Sequence, residues 1–315
     1  MKPKILISSC LGFEKCRYNG DVINFELLGM MKEYIDFIPI CPEVAIGLTI
    51  PRDSLRIIKK GDNYLLVQPT TNKDFTNDMR DYANKVSEDI KDIDGIILKG
   101  RSPSCGIKDV KVYAGISNAP VIEKTRGIFA EVLLDKYDHL PIEEEGRLLN
   151  LEIREHFFTK LYVLFEYKNI RKSNSITTLT NFHANNKYLY FAYDQMQKNR
   201  LGKIVANHDR KEISEVYDEY FKELNLLFSK LPTKKNYINS FLHIFGYFSK
   251  DISKEERKFF LELIDKYKKN QIERTSISNV LKSYVIKFNI GYLLDQTIFS
   301  PFPEGLISLK DSSVK

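Results

Sequence analysis

Residues 96–107 read IILKGRSPSCGI, an apolar run that stops abruptly in a polar loop carrying a cysteine. Two other short apolar runs end the same way: KILISSC at 4–10 and IDFIPIC at 35–41. Each has the length of a strand and is followed by turn residues. Helical spacing separates them, near residues 21–33 and again near 74–91, where Phe75, Met79, Tyr82 and Val86 recur on one face. This alternation predicts a doubly wound α/β fold, a mostly parallel sheet with helices on both faces and a ligand crevice at the carboxyl ends of the strands. LRIIKK and NYLLVQ, separated by Gly61 and Asp62, read as an inserted hairpin with a tight turn.

Parallel neighbours would bring Cys10, Cys41 and Cys105 to one edge of the sheet. The chain has four cysteines, all in its first third. Such clustering points to metal, cluster or redox chemistry before it points to disulfides. Three thiolates can hold zinc with one open position, or three irons of a [4Fe-4S] cluster whose fourth iron lacks a protein ligand, and spacing alone leaves both open. Cys16, in KCRYNG, reads as a free thiol in the loop after the first strand, with a fourth ligand as the alternative. Glu43, two residues past Cys41, is either an acid or base beside the thiols or a carboxylate stabilising a helix that starts at Pro42. Ser102 and Ser104 add hydroxyls next to Cys105, and Arg17, Arg52 and Arg101 are anion clamps or surface charges.

From about Gly146 the pattern turns to long helical stretches without strand signals. Ser253 and Glu256 form a capping box, followed by an apolar face of Phe259, Phe260, Leu263 and Tyr267, with Lys266, Lys268 and Lys269 in the last turn. The organisation expected is an α/β domain over 1–160, a connecting segment over 161–186 and an all-α domain over 187–315. The net charge of +6 divides into −2 for residues 1–150 and +8 for residues 151–315. A basic helical domain suits a polyanion. Lys187, Asp194 and Lys198 share roughly one helical face, with Lys203 and Arg210 beyond, so Lys187, Lys198, Lys203 and Arg210 are RNA-binding candidates. The aromatics Tyr188, Tyr190, Phe191 and Tyr193 read as core. The five histidines show no metal-ligand spacing. No apolar run approaches the ~20 residues that span a bilayer, and MKPKILISSC reads as a strand, which together place the chain in the cytoplasm.

ISSCLGFEKCRYNG, ICPEVAIGLTIPR, LKGRSPSCG, TRGIFAEVLL and LPIEEEGRL resemble, in order and spacing, the motifs of the thiouracil desulfidase family over roughly residues 3–160. The resemblance implies a [4Fe-4S] cluster held by Cys10, Cys41 and Cys105, and removal of sulfur from a thiolated pyrimidine without net redox. It also implies Glu43 and a serine of SPSC, Ser102 or Ser104, as proton-transfer groups. KYLYFAYDQMQKNRLGKIVAN at 187–207, HIFGYFSKDISKEERKFFLELIDKYKK at 243–269 and LKSYVIKFNIGYLLDQTIFSPFPEGL at 281–306 resemble the helical domain fused to this desulfidase domain in bacterial proteins that convert 4-thiouridine in transfer RNA to uridine. The expectation is a desulfidase acting on transfer RNA, with neither membrane nor DNA as partner. The alternatives are a desulfidase of free thiouracil-type bases or nucleosides, and a zinc-stabilised RNA-binding protein without catalysis.

Overall fold

The computed structural model describes residues 1–307. Contacts divide the chain into two compact units, the first running from Met1 to Leu164 and taking in residues 305–307, the second from Phe165 to Glu304.

The first unit opens with β1 (Lys4–Ser8), α1 (Leu27–Tyr34), β2 (Asp36–Ile40) and a single-turn α2 (Pro42–Ala45). The inserted hairpin follows as β3 (Arg56–Lys60) and β4 (Asn63–Gln68), with a short β5 (Lys73–Asp74), then α3 (Thr76–Asp89) and β6 (Gly95–Leu98). After the cysteine loop come β7 (Val110–Tyr113), β8 (Val121–Thr125), α4 (Ile128–Lys136) and β9 (Ile142–Glu144). One sheet has the order β2-β1-β6-β9 and is parallel throughout. Successive parallel strands lie on opposite sides of β1, so the chain reverses direction across the sheet between β1 and β6. Loops leaving such neighbours diverge and open a crevice at their carboxyl ends.

The core lies against α3 and α4, where Leu6, Ile96 and Leu98 meet Met79, Ala83, Val86, Phe129 and Leu133. Ile96 and Ile97 are fully buried, and each such side chain stabilises the fold by roughly 1.5–3 kcal/mol. On the other face lie α1, through the buried Leu27, Leu28 and Met31, and the first turns of α5 (Leu151–Arg171), whose Tyr162 hydroxyl donates to the Tyr34 carbonyl. Helices therefore cover both faces, as the alternating pattern predicts.

A second sheet, of order β5-β4-β3-β7-β8, was not foreseen beyond its hairpin. The hairpin is antiparallel and in the predicted place, pairing Lys60 with Asn63 across Gly61, whose φ of +61° is a left-handed turn conformation. β3 then pairs in parallel with β7, which pairs antiparallel with β8. Ile57, Leu66 and Val112 of this sheet join the same core as the parallel sheet.

The second unit is helical: α6 (Ile176–Tyr193), α7 (Gln195–Ala206), α8 (Ile213–Leu227), α9 (Lys234–Phe245), α10 (Lys254–Lys268), α11 (Arg274–Lys287) and α12 (Gly291–Leu294), entered from the end of α5. The polar stretch at 171–186 is largely the start of α6, whose N-cap Ser175 accepts from the Thr178 amide. The capping box of Ser253 and Glu256 forms, and Phe260, Leu263 and Tyr267 are buried behind it. Phe259 departs from the predicted face and is half exposed, because it falls one residue off the stripe its neighbours bury. Tyr188, Tyr190, Phe191 and Tyr193 are buried as expected. Among the described residues no helix is long and apolar enough to cross a membrane. Residues 308–315 of the expected helical domain lie outside the described residues.

Candidate active site

A cavity of about 300 Å³ lies at the carboxyl ends of β1, β2 and β6. Cys10, Cys41 and Cys105 all line it, as does Cys16. Register explains the convergence. Ser8 stands opposite Ile40 and Ile7 opposite Ile97, so the loops leaving the three strands start at nearly one level.

The loop after β6 is held by its neighbours. The Gly100 amide donates to Glu145 at 2.7 Å, the Ile107 amide to Glu144 at 2.9 Å, and the Lys99 amide to the Ser8 hydroxyl at 3.0 Å. A Cβ on Gly100 would stand 2.9 Å from the Glu144 carboxylate, so a larger residue there would displace that side chain. On the far side the loop serves as the cap of α4. The Ile128 amide donates to Pro103 O, and the amides of Phe129 and Ala130 donate to Ser104 O at 3.1 and 3.0 Å. These are first-turn donors that a helix leaves without internal partners. Gly127 permits the approach, since a Cβ there would lie 2.4 Å from Ser104 O. The motifs TRGIFAEVLL and LPIEEEGRL thus act as brackets for the cysteine loop.

The two serines separate cleanly. The Ser102 hydroxyl lines the cavity and accepts from the amides of Ser104 and Cys105 at 3.2 and 3.1 Å, which fixes the turn. The Ser104 hydroxyl is fully buried and donates to Glu43 Oε1 at 2.8 Å. The other oxygen of Glu43, Oε2, takes two hydrogen bonds from Arg52, at 2.8 and 2.6 Å. Arg52 has a side chain only 4% exposed and also donates to the Cys16 carbonyl at 3.1 Å. Arg52 is thus a clamp on Glu43, while Arg17 and Arg101 sit on the cavity wall. Arg101 holds φ +60°, a sparsely populated conformation for a side-chain-bearing residue. Lys99, which sequence reading passed over, lines the cavity and pairs with Glu145. An apolar run ending in Lys-Gly is the local signal that could have drawn attention to it.

The thiols sit in surroundings that disfavour charge. Burial, with Cys41 adding to it, pushes Cys10 up to about 11, and burial followed by Cys10 holds Cys105 well above the ordinary thiol range. Burial also raises Cys16, whose thiol is within hydrogen-bonding reach of Cys41. Thiols in such surroundings become ligands once a cationic centre draws off their protons. Among the described residues, no three His, Cys, Asp or Glu side chains are grouped closely enough to hold a single metal ion in this conformation.

In the second unit Lys187 lies on α6 and Lys198 on α7, with Asp194 the N-cap between them, so the expected single face is divided over two helices; burial and then Lys187 hold Lys198 below the ordinary lysine range. Lys203 is exposed on the same helix as Lys198, and Arg210 is exposed just beyond that helix's left-handed cap, Asn207.

Over residues 5–145 the chain matches the family described as 2-thiouracil desulfurase, and over residues 187–303 a family described as a protein of unknown function, DUF1722. The uncharacterized protein YbbK of Bacillus subtilis (strain 168) is 34% identical over 109 residues, a stretch covering 32% of this chain and 72% of that protein. The uncharacterized protein YbgA of Escherichia coli (strain K12) is 25% identical over 158 residues, 49% of this chain and 92% of that one. Among solved structures, the [4Fe-4S]-dependent thiouracil desulfidase TudS shows 25% identity and a TM-score of 0.35, covering 47% of this chain and 93% of its own. Through its first unit the chain belongs to the 2-thiouracil desulfurase family. Its second unit carries the DUF1722 domain.

Proposed function

We propose that this protein is an iron–sulfur-dependent desulfidase that converts 4-thiouridine in transfer RNA to uridine with release of sulfide. The observation that carries the reading is the cavity at the strand ends of a desulfurase-family domain, lined by three strand-end thiols and by Glu43, whose carboxylate accepts from the buried Ser104 hydroxyl. Three thiols around one cavity suit a multi-iron group held by Cys10, Cys41 and Cys105. Bound there, a [4Fe-4S] cluster with one iron free of protein ligands would supply a Lewis acid with affinity for sulfur.

The chain's own residues have the remaining tasks. Glu43 takes a proton from the water that adds to the pyrimidine carbon and returns one to the departing sulfur, a role within its reach of the cavity. Ser104 and Arg52 fix the two oxygens of that carboxylate separately, so the proton is exchanged at a defined position. Ser102 shapes the wall through the amides it accepts. Addition and expulsion leave the pyrimidine carbon's oxidation state unchanged, and the chemistry is hydrolytic. Transfer RNA as substrate is supported by the net +8 of residues 151–315 and by Lys187 and Lys198. Four thiols without a disulfide suit a reducing compartment, the cytoplasm.

Two measurements test the reading. Anaerobically purified protein should be brown, with broad absorption near ~400 nm and bound iron and sulfide. 4-Thiouridine should disappear from bulk transfer RNA faster than from the free nucleoside at low salt, and that preference should shrink as salt is added. A colourless, iron-free protein, or one that prefers the nucleoside at every salt concentration, overturns it.

A further inference from the structure

Tyr188, Tyr247 and Tyr292 form a triad in the second unit, with each ring against the other two at centroid distances of 6.3, 6.4 and 6.5 Å. The inner member is fixed on every side. Tyr188 is buried, its amide donates to Gln296, its carbonyl accepts from the Ser240 hydroxyl at 2.8 Å, and its hydroxyl donates to that of Tyr247 at 3.0 Å. The outer members are presented to solvent: Tyr247 is 48% exposed and Tyr292 39% exposed, with their planes only 30° apart. Lys187 stands beside them, its Nζ 5.9 Å from the centre of the Tyr292 ring, and Lys198 stands 5.3 Å from the centre of the Phe191 ring.

The core does not need this arrangement. A tyrosine whose role is packing buries its ring, as Tyr167, Tyr190, Tyr217 and Tyr220 do elsewhere in the unit. Here two rings are left open, nearly parallel, held by a buried third and bordered by the Lys187 ammonium, with Lys198, on the next helix, over Phe191. Flat apolar faces beside positive charges complement a ligand that is flat, aromatic and anionic. An unpaired nucleotide of an RNA chain has all three properties, its base for the ring and its two flanking phosphates for the lysines.

We propose that Tyr247 and Tyr292 are a stacking surface for an unpaired RNA base, with Lys187 and Lys198 receiving the adjoining phosphates. The inference rests on transfer RNA being the partner of this protein, and it adds the place and manner of contact. Stacking is insensitive to base identity because every base has a π face, so the surface grips without reading sequence. Ring and charge then contribute differently. The rings supply affinity that survives salt, and the lysines supply affinity that salt removes.

The experiment uses the full-length, cluster-loaded protein and fluorescently labelled bulk transfer RNA, with binding measured by anisotropy at several salt concentrations. Tyr247→Ala and Tyr292→Ala should each weaken binding about tenfold, with the slope of log affinity against log salt unchanged. Tyr247→Phe and Tyr292→Phe keep the ring and should bind like wild type, which separates stacking from loss of the Tyr188 hydroxyl bond. Circular dichroism and turnover of free 4-thiouridine should be unaltered in all four variants. If both alanine variants bind transfer RNA as wild type does, while wild-type binding is tight and salt-dependent, the stacking surface is wrong and the transfer RNA reading stands. If wild type itself fails to bind, both fall. Alanine variants that lose affinity together with helical content overturn the stacking assignment in favour of a packing role.

Discussion

The two units bury polar groups for opposite ends. In the α/β unit, polar side chains converge on one place: Ser8, Glu43, Arg52, Ser104, Glu144 and Glu145 all hold the loops around four thiols. In the helical unit buried polar groups tie helix to helix: Tyr167 donates to Tyr217 O, Tyr217 to Ser175 O and Ser240 to Tyr188 O. The first pattern fixes reactive groups relative to one another, and the second fixes helices. On the function proposed above, chemistry belongs to the first unit and recognition to the surface of the second.

The largest expected effect tests the first half of that contrast. Cys10→Ala, Cys41→Ala and Cys105→Ala should each reduce bound iron and sulfide to background, whereas Cys16→Ala should retain both, as metal and sulfide analysis of anaerobic protein will report. Loss in Cys16→Ala with retention in one of the other three would reverse the ligand assignment. Next in size is the carboxylate. Glu43→Gln keeps the shape and the Ser104 contact but cannot exchange a proton, so iron content should stay normal while turnover falls ~10²–10⁴-fold. Ser104→Ala removes one hydrogen bond to that carboxylate and should cost roughly tenfold. A Glu43→Gln enzyme with wild-type turnover would reduce Glu43 to a stabiliser of α2.

Lys187→Glu combined with Lys198→Glu addresses the second half. Transfer RNA binding should weaken more than ~10-fold and the salt slope should fall by about two, while cluster content and nucleoside turnover stay level. An unchanged salt slope would move the RNA contact elsewhere.

The smallest effect concerns stability, where the units should behave alike. Each holds one partly buried histidine down to about 4, His156 in the first through desolvation and Lys160, His183 in the second through desolvation, Lys198 and Lys187. The unfolded chain takes up these protons near pH 6.5, the folded one only near 4, so acid favours unfolding. Stability is fully present above about 6.5 and is lost as pH falls toward 4, by about 3 kcal/mol for each histidine. His183→Asn should flatten the pH dependence of the thermal midpoint in that window, and an identical slope in the variant would contradict the burial argument.

The site was legible because it rests on strand ends. Cys10, Cys41 and Cys105 each follow an apolar run of strand length, and the switch of direction beside β1 does the rest. The second sheet was not legible, because its decisive pairing, β3 with β7, joins segments some fifty residues apart, and β7 is four residues of VKVY with little pattern to read. Ser102 and Ser104 could not be told apart by position. Only the turn sends one hydroxyl to backbone amides and the other to Glu43. Arg52 was visible as a charge, but its grip on both Glu43 and the Cys16 carbonyl depends on folding across separate loops. Phe259 was misplaced because a run of two phenylalanines lets either one face inward.

The carbonyls of Pro103 and Ser104 that terminate α4 have a consequence for access. A loop that supplies the end of a helix cannot swing away without unwinding that helix's first turn, so the Ser102–Cys105 wall is a fixed jamb and not a door. Residues 17–22 of the loop after β1, where Arg17 and the half-exposed Tyr18 also border the cavity, cap no helix among the described residues, so changes there cost the fold less. Attempts to broaden the range of substrates by engineering would therefore do well to lengthen or soften residues 17–22 and to leave 101–106 untouched.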